Sequence, residues 1–360
     1  MQVKEQLITD NYALYLSDCM YVLPNLPDKS VDLSVYSPPF AGLYQYTSHE
    51  NDFSNCETPE QFLEGYEFLI EQMARVTKPG CINAVHCTDI LNSKTENMWD
   101  FPHEIIRLHE KHGFNFKNRI TVWKEPLKVR MRTMVRSLMH MNIVEDSTKC
   151  FTAMPDQVLI FERNGERDRP VIHPFGLTHY AGETPLLTEH LSQFGLPLKD
   201  FEGQYKDFEA FHEAYMWASF EAFKKKWEGH DDPYSNKFSH IVWQRYASSV
   251  WDDVRINNVL PFRDAKDEDD EKHVHPLQLD VIDRCVELWS NPGEVVLTPF
   301  MGVGSEVFSP VSMGRKAIGI ELKDSYYKQA VLNCKEAEKR FLQSRPAELF
   351  DQIPAGATLD

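Results

Sequence analysis

Strand-forming runs alternate with helical runs in two stretches of this chain, and that alternation narrows the fold more than any other feature. Residues 31–36 (Val-Asp-Leu-Ser-Val-Tyr) alternate and are rich in β formers, which predicts a strand. Ser37-Pro38-Pro39-Phe40 must end it, because two prolines cannot donate ladder hydrogen bonds and hold the chain extended. Thr58 then caps a helix over 59–76, with Pro59 at its first position and Gln61 completing a capping box. Phe62, Tyr66, Leu69, Met73 and Val76 recur at helical spacing within it. Lys78-Pro79-Gly80 is expected to stop this helix, with the next strand at 81–86. A helix near 101–112 and strands at 119–123 and 157–161 follow.

The second stretch predicts a helix at 277–290, a strand at 295–298, a glycine-containing turn, a short helix, a strand at 317–320 and a last helix at 324–343. Repeated units of this size imply an α/β fold, with a twisted, mostly parallel sheet and helices on both faces. Between 166 and 240 the alternation is lost, and aromatics, His, Gly and Pro are interspersed with charge. The expected organisation is therefore one half-domain at 1–165, an inserted region at 166–240, a second half-domain at 241–344 and a flexible tail at 345–360.

With 42% of its 360 residues hydrophobic, the chain has ample material for a core. No run of about 18 apolar residues and no charged-then-apolar leader is found, so a cytoplasmic protein is expected. Seven scattered cysteines without a Cys-x-x-Cys pair fit reduced thiols. The formal net charge of −17 opposes a nucleic-acid partner unless basic residues are concentrated locally. One stretch qualifies: Lys124, Lys128, Arg130, Arg132 and Arg136 stand against a single Glu125. A solvated loop face fits that stretch equally well.

Two motifs carry chemistry. In 295–305 a predicted strand feeds Thr298-Pro299-Phe300-Met301-Gly302-Val303-Gly304-Ser305, and Glu321 ends the following strand. Glycines without a Cβ let backbone approach a ligand, and an acid at the second strand end can accept from ribose hydroxyls. That arrangement suits a nucleoside-containing cofactor. Ser37-Pro38-Pro39-Phe40, taken alone, fits a proline-rich turn. It also fits activation of an exocyclic base amine, whose lone pair is delocalised into its ring. The Ser37 hydroxyl and Pro38 carbonyl can accept from the two N–H groups and localise that pair, while Phe40 stacks on the base. Such chemistry needs the target nucleotide out of the duplex.

Taken in order, these motifs resemble those of the permuted, β-group DNA amino-methyltransferases, in which the catalytic motif precedes the cofactor motif. Ser37-Pro38-Pro39-Phe40 is similar to the family's (Asp/Asn/Ser)-Pro-Pro-(Tyr/Phe), and Thr298 to Ser305 to Asp-Pro-Phe-x-Gly-x-Gly-Thr. His275-Pro276-Leu277-Gln278, after Glu271-Lys272, is similar to the Lys-x-x-His-Pro-x-Gln segment that closes the cofactor pocket. The resemblance covers about 30–165 and 241–335, which leaves 166–240 where the family keeps its target-recognition region.

The resemblance implies a Rossmann-like methyltransferase that uses S-adenosylmethionine. It implies methylation of double-stranded DNA at an exocyclic amine, with no metal, as a monomer or homodimer of a restriction-modification type. Thr298, Pro299, Phe300, Gly302, Gly304, Ser305, Glu321, His275 and Gln278 would bind the cofactor. Ser at the head of the first motif points to cytosine N4, with adenine N6 as the alternative. The chain departs from the family at Thr298, where a carboxylate usually helps hold the cofactor's methionine end.

Two rival classes stay open: an RNA or protein-amide methyltransferase, against which the motif order counts, and an inactive homologue, which the charge and Thr298 motivate. His103, His109 and His112 lack metal-site spacing. Trp243 and Trp251 are expected in the core, with contact to bases as the alternative.

Overall fold

The computed structural model describes residues 3–39, 56, 58–91, 97–172, 243, 245–262, 265 and 276–344. Its strands are β1 (Glu5–Ile8), β2 (Tyr12–Leu16), β3 (Val31–Tyr36), β4 (Thr77–Cys87), β5 (Ile90–Leu91), β6 (Met98–Trp99), β7 (Phe114–Val122), β8 (Asp156–Arg163), β9 (Val250–Trp251), β10 (Val295–Thr298) and β11 (Lys316–Glu321). Among the described residues, nine of them form one sheet in the order β1-β2-β11-β10-β3-β4-β8-β7-β9, and β5 pairs with β6. The five strands from β2 to β4 run parallel. Strand β8 runs antiparallel between β4 and β7, and β1 antiparallel to β2.

The helices are α1 (Cys19–Val22), α2 (Pro59–Val76), α3 (Phe101–Lys111), α4 (Pro126–Thr133), α5 (Asn142–Glu145), α6 (Leu279–Trp289), α7 (Ser305–Ser312) and α8 (Asp324–Ser344). The Thr58 hydroxyl accepts from the Gln61 N–H at 3.3 Å, and Pro59 occupies the first helical position of α2, where its missing donor costs nothing. The buried face of α2 carries Phe62, Tyr66, Leu69, Ile70 and Met73 and packs with α1 and α3 on one side of the sheet. Helices α6, α7 and α8 cover the other side. Both faces are thus apolar and covered, as a parallel sheet requires.

Within β3, Val31 and Tyr36 face the α2 side while Leu33 and Val35 face the α6 side. A register irregularity between Val31 and Leu33 makes that switch of face possible.

The crossover α2 joins β3 to β4 on one face, and α7 joins β10 to β11 on the other. Strand order therefore reverses between β3 and β10. In open α/β sheets the crevice for ligands lies at the carboxyl ends of the strands at such a switch point. Both predicted motifs leave the sheet there.

Several expectations need correction. Helix α2 stops at Val76 as expected, but the next strand starts earlier than 81: β4 begins at Thr77 and takes in Lys78-Pro79-Gly80. Pro79 is tolerated because β8 pairs with β4 only from Ile82 onward, so no ladder donor is needed there. The strand expected at 119–123 is longer, beginning at Phe114, because half its residues face solvent and break the apolar run. The hairpin of β1 and β2 was not foreseen, although Tyr12, Leu14 and Leu16 alternate as a half-buried strand should. Trp251 is buried as expected, but Trp243 is 57% exposed. Residues 166–172, placed in the inserted region, pack on the sheet's far end, where Arg167 pairs with Glu294 at 2.5 Å. The rest of the insert (173–240) and the tail (345–360) lie outside the described residues.

Candidate active site

The cofactor-type turn begins where β10 ends at Thr298. Gly302 and Gly304 both have positive φ, +52° and +93°. Their glycines serve different needs. A Cβ on Gly304 would meet Ala330 Cβ at 3.1 Å, so α8 occupies that side. A Cβ on Gly302 would meet nothing within 4 Å, so this turn faces open space. Glu321 holds the turn in place. One carboxylate oxygen accepts from the Gly302 N–H at 2.8 Å and the other from the Lys323 N–H at 2.8 Å.

Two hydroxyls at this turn, and one amide oxygen at the start of α6, are buried without matching partners among the described residues. The hydroxyls of Thr298 and Ser305 and the amide oxygen of Gln278 have no hydrogen-bond partner among the described residues. Buried polar atoms usually find a partner, so each of these calls for one. Glu306, in the first turn of α7, is 5% exposed. Burial pushes its carboxyl up to about 8, and the neighbouring charge of Glu321 adds to the effect. Pro299 is buried and Phe300 half-buried beside it, while His275 lies outside the described residues.

The catalytic-type loop leaves β3 next door. Ser34 of β3 is in register with Leu297 of β10, so three residues on, the start of the proline loop stands beside Phe300. The ring of Tyr36 lies 6.1 Å from that of Phe300 at 59°. Beneath it the Tyr66 hydroxyl donates to the Tyr36 hydroxyl at 3.3 Å, and His109 Nε2 lies 3.4 Å from the same oxygen. This buried brace fixes the end of β3. Ser37 and Pro39 are half-buried and Pro38 is buried, whereas Phe40 lies outside the described residues.

Two residues at this edge were not anticipated. Ser37 Oγ lies 3.4 Å from Nδ1 of His86, near the end of β4. Nε2 of His86 lies 3.0 Å from Asp156 Oδ2, an ion-pair distance, although the ring N–H is not aligned on the oxygen as a directed hydrogen bond. Lys124 Nζ reaches Asp156 Oδ1 at 2.5 Å. Burial alone would raise the Asp156 carboxyl, but the Lys124 ammonium and the His86 ring beside it hold it well below the usual carboxylate range. The available signal was positional: a histidine near the tip of the strand next to β3, and an acid opening the strand paired with it.

The basic stretch divides. Lys124 is paired with the buried Asp156, and its side chain is 19% exposed. Lys128 and Arg130 on α4 are half-exposed and Arg136 is exposed, while the Arg132 side chain lies outside the described residues. This segment starts at the carboxyl end of β7, which runs in the direction of β4, so it projects from the same edge as both motifs. Of the three histidines, His109 stacks on Phe161 at 3.9 Å and is pushed down to about 3 by burial, and His112 pairs with Glu67. Their roles are in packing and surface pairing.

A family model described as DNA methylase matches residues 31–332. The type II methyltransferase M.BamHI of Bacillus amyloliquefaciens is 23% identical over 347 residues, 95% of this chain and 62% of that protein. The type II methyltransferase M.BglII of Bacillus subtilis is 25% identical over 319 residues, 87% of this chain and 66% of that protein. The chain therefore spans under two thirds of either relative's length. Among solved structures, TTHA0409 of Thermus thermophilus, complexed with S-adenosyl-L-methionine, is similar with a TM-score of 0.52 at 20% identity, covering 91% of this chain and 96% of that one. The cytosine-N4-specific PvuII DNA methyltransferase gives 0.51 at 12% identity, covering 96% and 98%. These two likenesses show the fold. The family match spans both motifs and the strands that bring them together, and the chain belongs to the DNA methylase family of N6- and N4-amino methyltransferases.

Proposed function

We propose that the chain transfers a methyl group from S-adenosylmethionine to the N4 amine of a cytosine flipped out of double-stranded DNA. The observation that carries this reading is the adjacency of the two loops at the switch point, with Ser34 and Leu297 in register and the Tyr36 and Phe300 rings in contact. That adjacency would put an amine held at Ser37 next to a methyl donor held at Gly302 and Gly304. Family membership and the methionine-derived cofactor bound by TTHA0409 support the choice of cofactor.

The residues present fit that cofactor. The open side of Gly302 leaves room for it, and the unpartnered hydroxyls of Thr298 and Ser305 and the amide of Gln278 are free to bind its polar groups. Glu321 would meet the ribose hydroxyls, with Pro299, Phe300 and His275 completing the pocket. The cofactor supplies an electrophilic sulfonium methyl. The protein's own part is positioning and charge complementarity. Ser37 Oγ and the Pro38 carbonyl accept from the amine N–H groups and turn its lone pair outward. Pro39 keeps the loop extended, and Phe40 stacks on the base.

Ser at the head of the loop supports cytosine N4 over adenine N6, as does the cytosine-N4 specificity of the PvuII enzyme. Lys128, Arg130, Arg132 and Arg136 supply the local positive charge that the overall charge of −17 lacks. Kinship with type II methyltransferases supports a sequence-specific modification enzyme. Sequencing-based mapping of modified bases in DNA from cells expressing the chain tests this. N4-methylcytosine at one recurring sequence is expected. N6-methyladenine there would overturn the choice of base, and unmodified DNA would overturn the activity.

A further inference from the structure

His86 and Asp156 form the buried backing of the loop that starts at Ser37. Ser37 follows β3, His86 stands near the end of β4, Asp156 opens β8 and Lys124 follows β7, so four neighbouring strands converge on one line of polar atoms. His86 and Asp156 side chains are 8% and 6% exposed. A buried carboxylate beside a polar ring is costly unless its partners are well placed, so its position directly behind the half-buried Ser37 calls for a reason. Packing alone does not supply one, because an apolar pair of similar size would fill the same space at less cost.

We propose that His86, held by Asp156, is the positioning residue that makes Ser37 a hydrogen-bond acceptor and takes up the proton released from the methylated amine. This inference rests on the function proposed above. A serine hydroxyl is both donor and acceptor, and only its acceptor face helps to localise an amine lone pair. The carboxylate beside Nε2 favours the proton on that nitrogen, which leaves Nδ1 as the acceptor facing Ser37. The Ser37 proton then points to His86, and the lone pairs of Oγ are turned toward the amine.

The same contact completes the proton balance. Once the amine nitrogen carries the methyl group it holds one proton too many. That N–H bond breaks as a new O–H bond forms on Ser37, while the original Ser37 proton passes to His86 Nδ1. The imidazolium so formed faces Asp156, whose negative charge offsets it, and later returns the proton to solvent. No redox partner is needed. Lys124 pairs with Asp156 and keeps it ionised. The 3.4 Å separation of Ser37 and His86 is long for a hydrogen bond, as such contacts often are before substrate arrives.

The test is single-turnover methyl transfer by the full chain, with His86→Gln and Asp156→Asn, across pH, alongside calorimetric titration with S-adenosylmethionine. The groups facing His86 are Ser37, Asp156 and, through Asp156, Lys124, so the native rate should fall on the acid side as His86 becomes protonated. His86→Gln is expected to lower the rate constant by about 100-fold or more, to abolish that acid limb, and to leave cofactor affinity within about twofold. Asp156→Asn is expected to keep the limb but move it to lower pH. A His86→Gln protein with native rate and native pH profile would overturn the inference. If His86→Gln does not fold, the limb of Asp156→Asn decides: moved supports the inference, unmoved overturns it. A native chain that binds cofactor but methylates no DNA amine overturns the functional reading instead, before any variant is compared.

Discussion

The rings of Tyr36 and Phe300 lie 6.1 Å apart although 264 positions of numbering separate them, the difference between 300 and 36. Tyr36 is the last residue of β3 and Phe300 the second after β10, and the two strands are parallel neighbours. Their contact joins the end of the strand that presents Ser37 to the turn that presents Gly302. The consequences for chemistry and stability can be measured.

Ser37→Ala removes the acceptor proposed for the amine while leaving the glycine turn untouched. Turnover is expected to fall by about 100- to 1,000-fold, the scale for losing one preorganised hydrogen-bond partner. Calorimetric affinity for S-adenosylmethionine is expected to stay within about twofold. Equal loss of turnover and affinity would contradict the separate roles assigned to the two loops.

The outward part of the basic stretch should read as phosphate contacts. Changing Lys128, Arg130 and Arg132 together to Ala is expected to weaken DNA binding and flatten the plot of log affinity against log salt, by about 1 in slope for each phosphate no longer neutralised. Lys124→Ala should instead disturb Asp156 and turnover, with little change in the slope. An unchanged slope in the triple variant would show that α4 does not face phosphate.

Glu306 predicts an unusual pH dependence of stability. Its carboxyl is raised to about 8 in the folded chain by burial and by Glu321, against an unfolded value of 4.5. The folded state thus binds this proton more tightly, so its contribution is fully present below the unfolded value and is lost as pH rises toward 8 and beyond. At about 1.4 kcal/mol for each tenfold in proton affinity, the cost at high pH is several kcal/mol. Glu306→Gln should raise the thermal midpoint of the cofactor-free protein at about pH 9 and change it far less at about pH 5. Parallel melting curves at both pH values for the two proteins would contradict this.

Asp253 holds the segment after the insert to α6. It accepts from Arg284 at 2.5 Å and from Arg245 at 2.7 Å, and the side chains are only 4% exposed for Asp253 and Arg284 and 12% for Arg245. Asp253→Ala would leave two buried guanidinium groups facing each other. A loss of about 3–5 kcal/mol in urea unfolding is expected, and a change below about 1 kcal/mol would show that the pairs are not needed to hold β9 in place.

Much of this molecule was legible in its sequence because local signals and tertiary packing agree. The cap and proline at Thr58 and Pro59, the alternation at 31–36 and the glycine turn after 298 each correspond to the element observed. The reading failed where a local signal was overridden by neighbours. Lys78-Pro79-Gly80 follows the helix stop as expected, yet the missing pairing of β8 at that level lets these residues belong to the strand. The site showed the same division. Ser37, Gly302 and Glu321 lie in contiguous motifs, whereas His86 and Asp156 become partners only once β4 and β8 pair in antiparallel register. Lys124 reads as one member of a surface charge run because sequence does not reveal that a buried carboxylate lies within reach.

Nucleoside mass spectrometry after incubating the purified chain with double-stranded DNA and methyl-labelled S-adenosylmethionine bears most directly on whether the two loops form one transfer site. The account predicts label in N4-methylcytosine, absent when Ser37 is Ala. Cofactor bound at the glycine turn with no label on any base amine would contradict it.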